Sequence, residues 1–324
     1  MIRLVVAFCV LIAVAFGATA APRDSGGTWS ASLKDNPPER LQFSMEIDGD
    51  GNMGMGFVRS DFSGLETIDL RSEQPVTVRF EMRREAGTVS FDGTFRKGRG
   101  TGDFVFVPNP DYARKLGQLG VELGEKDRSE EMLGLTLFDV STAFIRSMQE
   151  IGYDVSLEKY TSFRIFKIDP AYVREMSAVG FSQLSADKLV ETKVHNVSPE
   201  YVRKMRASGK DLTLDELVQS RIFEVTPEFA AEMEKIGYPG LDHETLVQFR
   251  IHGVSAEFVR DLRELGYSRV PADQLVAMRV HGVTPEFIRR VEKAGYHQVP
   301  VDKLVQMRIF GIDPEMVGAL DRHR

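Results

Sequence analysis

A nearly constant interval between similar stretches limits what most of this chain can fold into. Aligning "RIHGVSAEFVRDLRELGY" (250–267) with "RVHGVTPEFIRRVEKAGY" (279–296) and their sister copies gives spacings of 28 or 29 residues, after a first interval of 32. The aligned position usually holds proline and comprises Pro110, Thr142, Pro170, Pro199, Pro227, Ala256, Pro285 and Pro314. A fixed period of this length predicts stacked structural repeats, because each repeat contributes one supersecondary unit to a shared core.

Each copy carries the signals of a helix that begins at the aligned position. Ser, Thr or Asp usually comes just before it, where a side-chain oxygen can cap exposed backbone amides. A glycine follows ten residues later, at Gly120, Gly152, Gly180, Gly209, Gly237, Gly266 and Gly295. Proline at the first helical position and glycine just past the last bracket a helix of about ten residues. Apolar residues such as Phe258, Val259 and Leu262 form one stripe along it.

A second short helix is predicted after the glycine. A capping residue and an acidic residue two positions later mark its start in several copies, as at Ser156 with Glu158 and Ser185 with Asp187. Proline takes the capping position at Pro271 and Pro300. Helices shorter than about 12 to 15 residues are marginal in isolation. We therefore expect the repeats to stabilise one another.

The segment before the repeats has a different pattern. Stretches such as "VTVRFEMRR" (76–84) and "TVSFDGTFR" (88–96) alternate apolar and polar residues, with glycine-rich turns between them. The pattern predicts about six antiparallel strands in a small sandwich or barrel. The expected fold class is α+β: an antiparallel β domain at 29–109, after a linker at 21–28, and an α-helical repeat domain at 110–324.

The first 20 residues have the pattern of a secretory signal peptide. Arg3 precedes an apolar run from Leu4 to Phe16, and Ala18 and Ala20 form a small-residue cleavage site. The prediction is therefore an exported protein, periplasmic or secreted, with no membrane span after cleavage. Cys9 is the only cysteine and lies inside this segment. The net charge of −7 makes nucleic acid an unsuitable partner.

A recurring histidine is the first candidate for a metal or catalytic site. Four residues before the aligned position stand Phe138, Phe166, His195, Phe223, His252, His281 and Phe310. A metal ligand cannot be exchanged for phenylalanine, whereas a packing ring can. "HETLV" (243–247) begins like the zinc-protease motif HExxH, but Val247 stands at the second ligand position. The sequence predicts no metal ligand, no catalytic residue and no cofactor.

Basic residues recur at two positions of the repeat, and two interpretations remain open. The first arginine column lies six residues before the aligned position and holds Arg164, Lys193, Arg221, Arg250, Arg279 and Arg308. The second lies four residues after it and holds Arg114, Arg146, Arg174, Arg203, Arg260 and Arg289, with Ala231 interrupting it. They can form ion pairs between repeats with acidic caps such as Asp215, which contribute about 0 to 1 kcal/mol each. Alternatively, they form a surface that binds an acidic partner.

Units such as "LVAMRVHGVTPEFIRRVEKAGY" (275–296) resemble the C-terminal helical repeats of bacterial membrane zinc peptidases of the antibiotic-sensor type, and of related secreted proteins. The resemblance covers roughly 110–324 and implies a bacterial, exported setting. The chain has no HExxH, so the resemblance implies no catalytic residue.

The sequence as a whole favours a non-enzymatic interaction or scaffolding module that binds a protein of the cell envelope. An alternative is a small-molecule or glycan-binding protein that uses the β domain, with Trp29 as a candidate ligand contact. In the competing interpretation, Trp29 belongs to the core of that domain. A third alternative is a cell-envelope hydrolase, because catalytic residues need not be adjacent in sequence.

Overall fold

The structure is a computed structural model that describes residues 25–34, 39–47, 52–124, 128–209 and 211–312. The predicted signal segment with Cys9, the first residues of the predicted linker and the last copy from Asp313 onward lie outside these residues.

The β part is one antiparallel sheet of six strands in the order β3-β2-β1-β6-β5-β4. Its first strand begins at Ser25, four residues before the expected start, and pairs along its length with two neighbours. The strands are β1 Ser25–Lys34, β2 Arg40–Ile47, β3 Asn52–Val58, β4 Val76–Arg84, β5 Gly87–Arg96 and β6 Arg99–Pro108.

The sheet is strongly curled around an aromatic core. Three strands separate β2 from β4, which in a flat sheet would place them roughly 19 Å apart. The ring centroids of Phe43 on β2 and Phe80 on β4 nevertheless lie only 6.2 Å apart. A bridge between Ser63 and Glu81 joins the segment after β3 to β4. The result is a barrel-like sheet.

Close backbone approach in this sheet depends on two paired glycines. Gly93 and Gly102 face each other on β5 and β6. A Cβ atom on Gly102 would lie 1.9 Å from the carbonyl oxygen of Asp92, and one on Gly93 would lie 2.7 Å from the Trp29 ring. Glycine is therefore required at Gly102 for the close approach of the β5 backbone, and at Gly93 to leave room for the Trp29 ring.

The helical part matches the predicted pattern of paired short helices. Every described first helix begins at the aligned position, and each predicted glycine has a positive φ. The first helices are α1 Pro110–Gln118, α3 Thr142–Gln149, α5 Pro170–Ala178, α7 Pro199–Arg206, α9 Pro227–Lys235, α11 Ala256–Glu264 and α13 Pro285–Lys293. The second helices are α2 Arg128–Leu137, α4 Leu157–Ile165, α6 Ala186–Val194, α8 Leu214–Ile222, α10 His243–His252, α12 Ala272–Val280 and α14 Val301–Ile309. The predicted fold class, an antiparallel β part followed by helical repeats, is confirmed.

The chain divides into two compact units, with the division between Val173 and Arg174. The first unit therefore contains the barrel and helices α1 to α4, and α2 packs on β4, β5 and β6. Glu85, in the turn after β4, accepts hydrogen bonds from the Thr142 backbone N–H (2.7 Å) and from Lys115 Nζ (3.0 Å). These contacts join the barrel to α1 and α3, so strands give way to helices near residue 109 without a break in packing.

In the second unit, neighbouring repeats pack helix against helix. α8 contacts α10, α10 contacts α12, and α12 contacts α14, so second helices lie side by side. α11 contacts α13 in the same way on the side of the first helices. Their buried residues form one core that includes Phe249, Leu262 and Met278. None of the helices in the described ranges has the length and apolar character needed to cross a bilayer.

Candidate interaction surface

The first arginine column binds the end of the preceding second helix. Arg250 donates from Nε to the Phe223 carbonyl oxygen at 3.1 Å, and Arg279 donates likewise to the His252 carbonyl oxygen at 3.1 Å. The full set of Nε donors with their acceptor residues is Arg164 to Phe138, Arg221 to Asn196, Arg250 to Phe223, Arg279 to His252 and Arg308 to His281. The last carbonyls of a helix have no partner within it, so each arginine satisfies one of them.

Each of these guanidinium groups also lies over an aromatic ring. Arg279 stands 5.0 Å from the centroid of Phe258, and Arg221 stands 3.7 Å from that of Tyr201. The other three pairs are Arg164 on Phe144, Arg250 on Phe229 and Arg308 on Phe287. The ring always lies two residues after the aligned position. Burial raises the pKa of Tyr201, partly offset by the positive charge of Arg221, so the ring beneath that arginine stays neutral.

The acidic partners expected for this column are not the ones found. Arg164 pairs with Asp139 at 2.7 Å and Arg250 pairs with Glu224 at 2.9 Å, whereas the sequence predicts acidic caps such as Asp215. Asp215 binds Lys188 instead. Asp139 and Glu224 directly follow the helix end that the arginine reaches, whereas the caps stand at the opposite end of each second helix. Lys193 holds the same position on α6 and is half-buried.

Three arginines of the column keep guanidinium nitrogens that bind no carboxylate. The residue after the helix end is asparagine or glycine in their neighbouring repeats: Asn196, Gly253 and Gly282. Within the ranges that the structure describes, no carboxylate lies within ion-pair distance of Arg221, Arg279 or Arg308. Their Nε atoms are engaged by carbonyls, so their terminal nitrogens remain available at the surface.

The second arginine column lies on the first helices and is largely exposed. Arg203 pairs with Glu200 and Arg289 with Glu286, each three residues earlier on the same helix. Arg114 pairs with Asp111 in the same way. Pairs of this kind contribute only a few tenths of a kcal/mol.

An exposed apolar residue follows each basic residue of the first column. In the second unit, these residues are Val194, Ile222, Ile251, Val280 and Ile309, which we call the exposed apolar row, and each is 46% to 53% exposed. Ile165 holds the equivalent position in the first unit and is 44% exposed. Single exposed apolar residues are common, but the same residue type at the same exposed position in successive repeats is not expected of an ordinary surface.

The first repeat shows this position covered by protein. Leu137 on α2 is the equivalent residue and is buried. α2 is also the helix that packs on β4, β5 and β6. The position that corresponds to the row is therefore compatible with burial inside protein.

The row was missed at the level of sequence, although its signal is visible there. Val or Ile directly after Arg or Lys recurs in "RIF", "KVH", "RIH" and "RVH". A recurring apolar position in a helix is usually interpreted as core. Only the structure shows that the core of each second helix is already complete without it, through residues such as Leu246 and Phe249.

The remaining candidate residues lie in structural positions. Trp29 is buried among Phe43, Phe80, Phe91 and Phe95, and its indole N–H faces the carbonyl oxygens of Asp92 and Asp103 at 3.2 and 3.1 Å. It belongs to the barrel core, as the competing interpretation had it.

The histidine column lies at the ends of second helices. His252 Nε2 lies within hydrogen-bond distance of Gln248 Oε1, at 3.1 Å. The backbone carbonyl of His252 accepts a hydrogen bond from Arg279. Among the residues that the structure describes, no group of three or more His, Cys, Asp and Glu side chains could hold a metal ion.

Comparisons with family models, curated proteins and solved structures found no match for this chain. The resemblance to the repeats of antibiotic-sensor peptidases therefore stays a prediction.

Proposed function

We propose that this chain is an exported, non-enzymatic interaction module that holds a protein partner of the cell envelope on the second helices of its repeats. The observation that carries the proposal is the exposed apolar row, one half-exposed Ile or Val in each successive repeat of the second unit. Burying such residues against a partner removes apolar surface from water at a gain of about 25 cal/mol per Å².

The charges beside the row indicate the chemistry of the partner. Arg221, Arg279 and Arg308 directly precede Ile222, Val280 and Ile309, and their terminal nitrogens bind no carboxylate among the described residues. A partner surface with apolar residues flanked by Asp or Glu would cover the apolar row and supply carboxylates to these guanidinium groups. Guanidinium groups bind carboxylates in a fixed two-point geometry, which gives specificity to an otherwise apolar contact.

The arginines have a structural role that the row residues lack, so experiments can distinguish the two sets. Each arginine supports the junction between repeats, so replacing it disturbs folding as well as binding. The row residues are exposed and follow the arginines without carrying the junction. Changes to the row should therefore affect folding less than changes to the arginines do.

The test compares the full chain with a variant that carries Ile222→Ser, Ile251→Ser and Val280→Ser. We expect its free energy of unfolding, measured by thermal unfolding, to stay within about 1 kcal/mol of the wild-type value, because these side chains are half-exposed. Capture of the partner from an envelope extract should fall at least about tenfold, because a central apolar cluster usually dominates such contacts.

The matched control carries Arg260→Ser and Arg289→Ser, on the exposed face of the first helices. It should capture the partner as the wild type does. If the row variant folds normally and binds the same proteins to the same extent, the proposal is wrong.

A further inference from the structure

One junction in the second unit lacks a contact that the other described junctions of that unit possess. A backbone carbonyl at the end of a first helix normally accepts a hydrogen bond from a side chain of the next repeat. Arg206 donates to the Val179 carbonyl, Arg263 donates to the Ile236 carbonyl, and Gln298 donates to the Leu265 carbonyl. Gln149 makes the equivalent bond to Leu119 in the first unit, at 2.9 Å.

The equivalent carbonyl between α7 and α9 belongs to Ser208. Glu234 stands where Arg206 and Arg263 supply their guanidinium groups, and a carboxylate cannot donate. Gly240 stands where Gln298 supplies its amide and has no side chain. Neither position can therefore provide a donor. No side chain of the following repeat donates to the Ser208 carbonyl within the ranges that the structure describes.

A cleft of about 340 Å³ opens at this same junction. Ser208, Glu234 and Gly240 all line it. Its walls are mainly apolar and include Met205 and Leu246. This volume lies in the range of pockets that bind small groups.

Three residues of the cleft are smaller than their counterparts in most other repeats, although the first repeat also has an alanine, Ala113, at the position of Ala230. Ala230 stands where Ile145, Val202, Val259 and Ile288 stand elsewhere. Ala231 is the residue that interrupts the second arginine column. Ser208 replaces the leucine, isoleucine or valine found in most copies at that position, as in Leu119, Ile151, Val179, Ile236 and Leu265.

The buried side of the cleft also departs from the repeat pattern. His243 lines it, is 8% exposed and stands in a column that otherwise holds Leu157, Ala186, Leu214, Ala272 and Val301. Its Nε2 atom lies 2.9 Å from Ser220 Oγ, in a column that holds Phe or Met in four other repeats and threonine at Thr192. Of the two, His243 is the residue that distinguishes this repeat from the other described repeats.

We propose that this cleft binds an arginine side chain of a partner protein, which supplies from outside the guanidinium that Arg206 and Arg263 supply from within at neighbouring junctions. The aliphatic part would lie against the apolar walls, and the guanidinium would donate to Glu234 and to the Ser208 carbonyl. A charged donor opposite a carboxylate makes the stronger kind of hydrogen bond, and the planar fork suits two acceptors at once.

The experiment titrates the full chain with N-acetyl-arginine N-methylamide and follows the methyl resonances of Met205, Ala230 and Ala231 by NMR. A single side chain of this kind should bind with a dissociation constant on the order of 1 mM. The neutral isostere N-acetyl-citrulline N-methylamide should bind at least about tenfold more weakly. Absence of binding up to roughly 20 mM, or equal binding of the two compounds, would overturn the proposal.

Two variants at position 234 and one elsewhere complete the test. Glu234→Arg should occupy the cleft with the residue of the sister repeats, raise the melting temperature and abolish binding of the arginine compound. Glu234→Gln should weaken binding about tenfold while leaving the fold intact. Glu292→Arg is the matched control, because Gln298 already serves that junction, and it should bind like the wild type. Unchanged affinity in both variants at position 234 would contradict the assignment.

The cleft and the exposed apolar row are separate surfaces. The variant Ile222→Ser, Ile251→Ser, Val280→Ser should therefore bind the arginine compound as the wild type does. A failure of the cleft leaves the proposed function standing, and a failure of the row leaves the cleft testable.

Discussion

The Nε atom of Arg279, near the end of α12, donates to the backbone carbonyl of His252 at the end of α10 over 3.1 Å. The same guanidinium covers the ring of Phe258, which lies on the first helix between them. One side chain therefore links three consecutive helices. This contact recurs along the repeats and explains why arginine returns at this position.

Arg279→Lys should destabilise the chain by about 1 kcal/mol, although the charge is kept. Lysine has no planar Nε–H group that can donate to the carbonyl while the head group covers the ring. The measurement is the midpoint of urea unfolding. Arg289→Lys is the control, since Arg289 makes only an exposed pair with Glu286, and its midpoint should hardly move. Equal effects of the two changes would contradict a structural role for the first column.

Lys167→Gly should stabilise the chain, against the usual effect of introducing glycine. Lys167 follows a second helix with φ 54°, and Gly253 and Gly282 hold the equivalent position with φ 71° and 70°. A residue with a side chain is disfavoured in the left-handed region by about 1 kcal/mol, so the net gain should be about 0.5 kcal/mol after the added freedom of the unfolded chain. Differential scanning calorimetry would show a higher melting temperature. The reverse change, Gly282→Lys, should lower it, and a lower melting temperature for Lys167→Gly would refute this explanation.

The contact of Glu85 with α3 should appear in the pH dependence of stability. Partial burial raises the pKa of Glu85, but the hydrogen bonds from Thr142 and Lys115 outweigh it and hold the pKa below its ordinary value of 4.5. A carboxyl with a lowered pKa in the folded state stabilises the protein above its unfolded pKa, and this contribution is lost as the pH falls through the folded value.

Glu85→Gln should therefore reduce stability at about pH 6 and reduce it much less at about pH 3. Urea unfolding at both pH values measures the difference. The exposed Glu122 provides the control, since Glu122→Gln should change little at either pH. A loss for Glu85→Gln that is the same at both pH values would show that the carboxylate charge has no role.

The helices were predictable from sequence because their signals are local. Each signal acts on the turn of backbone next to it: a preceding Ser, Thr or Asp and a proline at the start of the helix, and a glycine ten residues later at its end. The structure has helices at these positions. The strands were predictable for the same reason, apart from the start of β1. Ser25 to Thr28 are small and polar, and they become strand through pairing with β2 and β6.

The contacts between repeats were less predictable because they depend on packing. The sequence indicated that Arg250 and Arg279 act as a group, but their acceptors are backbone carbonyls, which every residue possesses. The exposed apolar row could not be separated from the core by periodicity, since Ile251 and Phe249 both belong to recurring apolar positions. The gap at Glu234 becomes visible only after Arg206 and Arg263 are known to donate across junctions.

The most direct test of the binding role places a photo-crosslinking benzoylphenylalanine at position 251 or, as the control, at position 260 of the full chain. Both sites are exposed, but only position 251 lies in the exposed apolar row. After irradiation in an envelope extract, we expect one defined protein adduct at position 251. The added changes Ile222→Ser and Val280→Ser should remove this adduct. The protein identified in the adduct should bind the chain when it is purified. No adduct at position 251, or the same adducts at both positions, would contradict the proposal that the row is the binding surface.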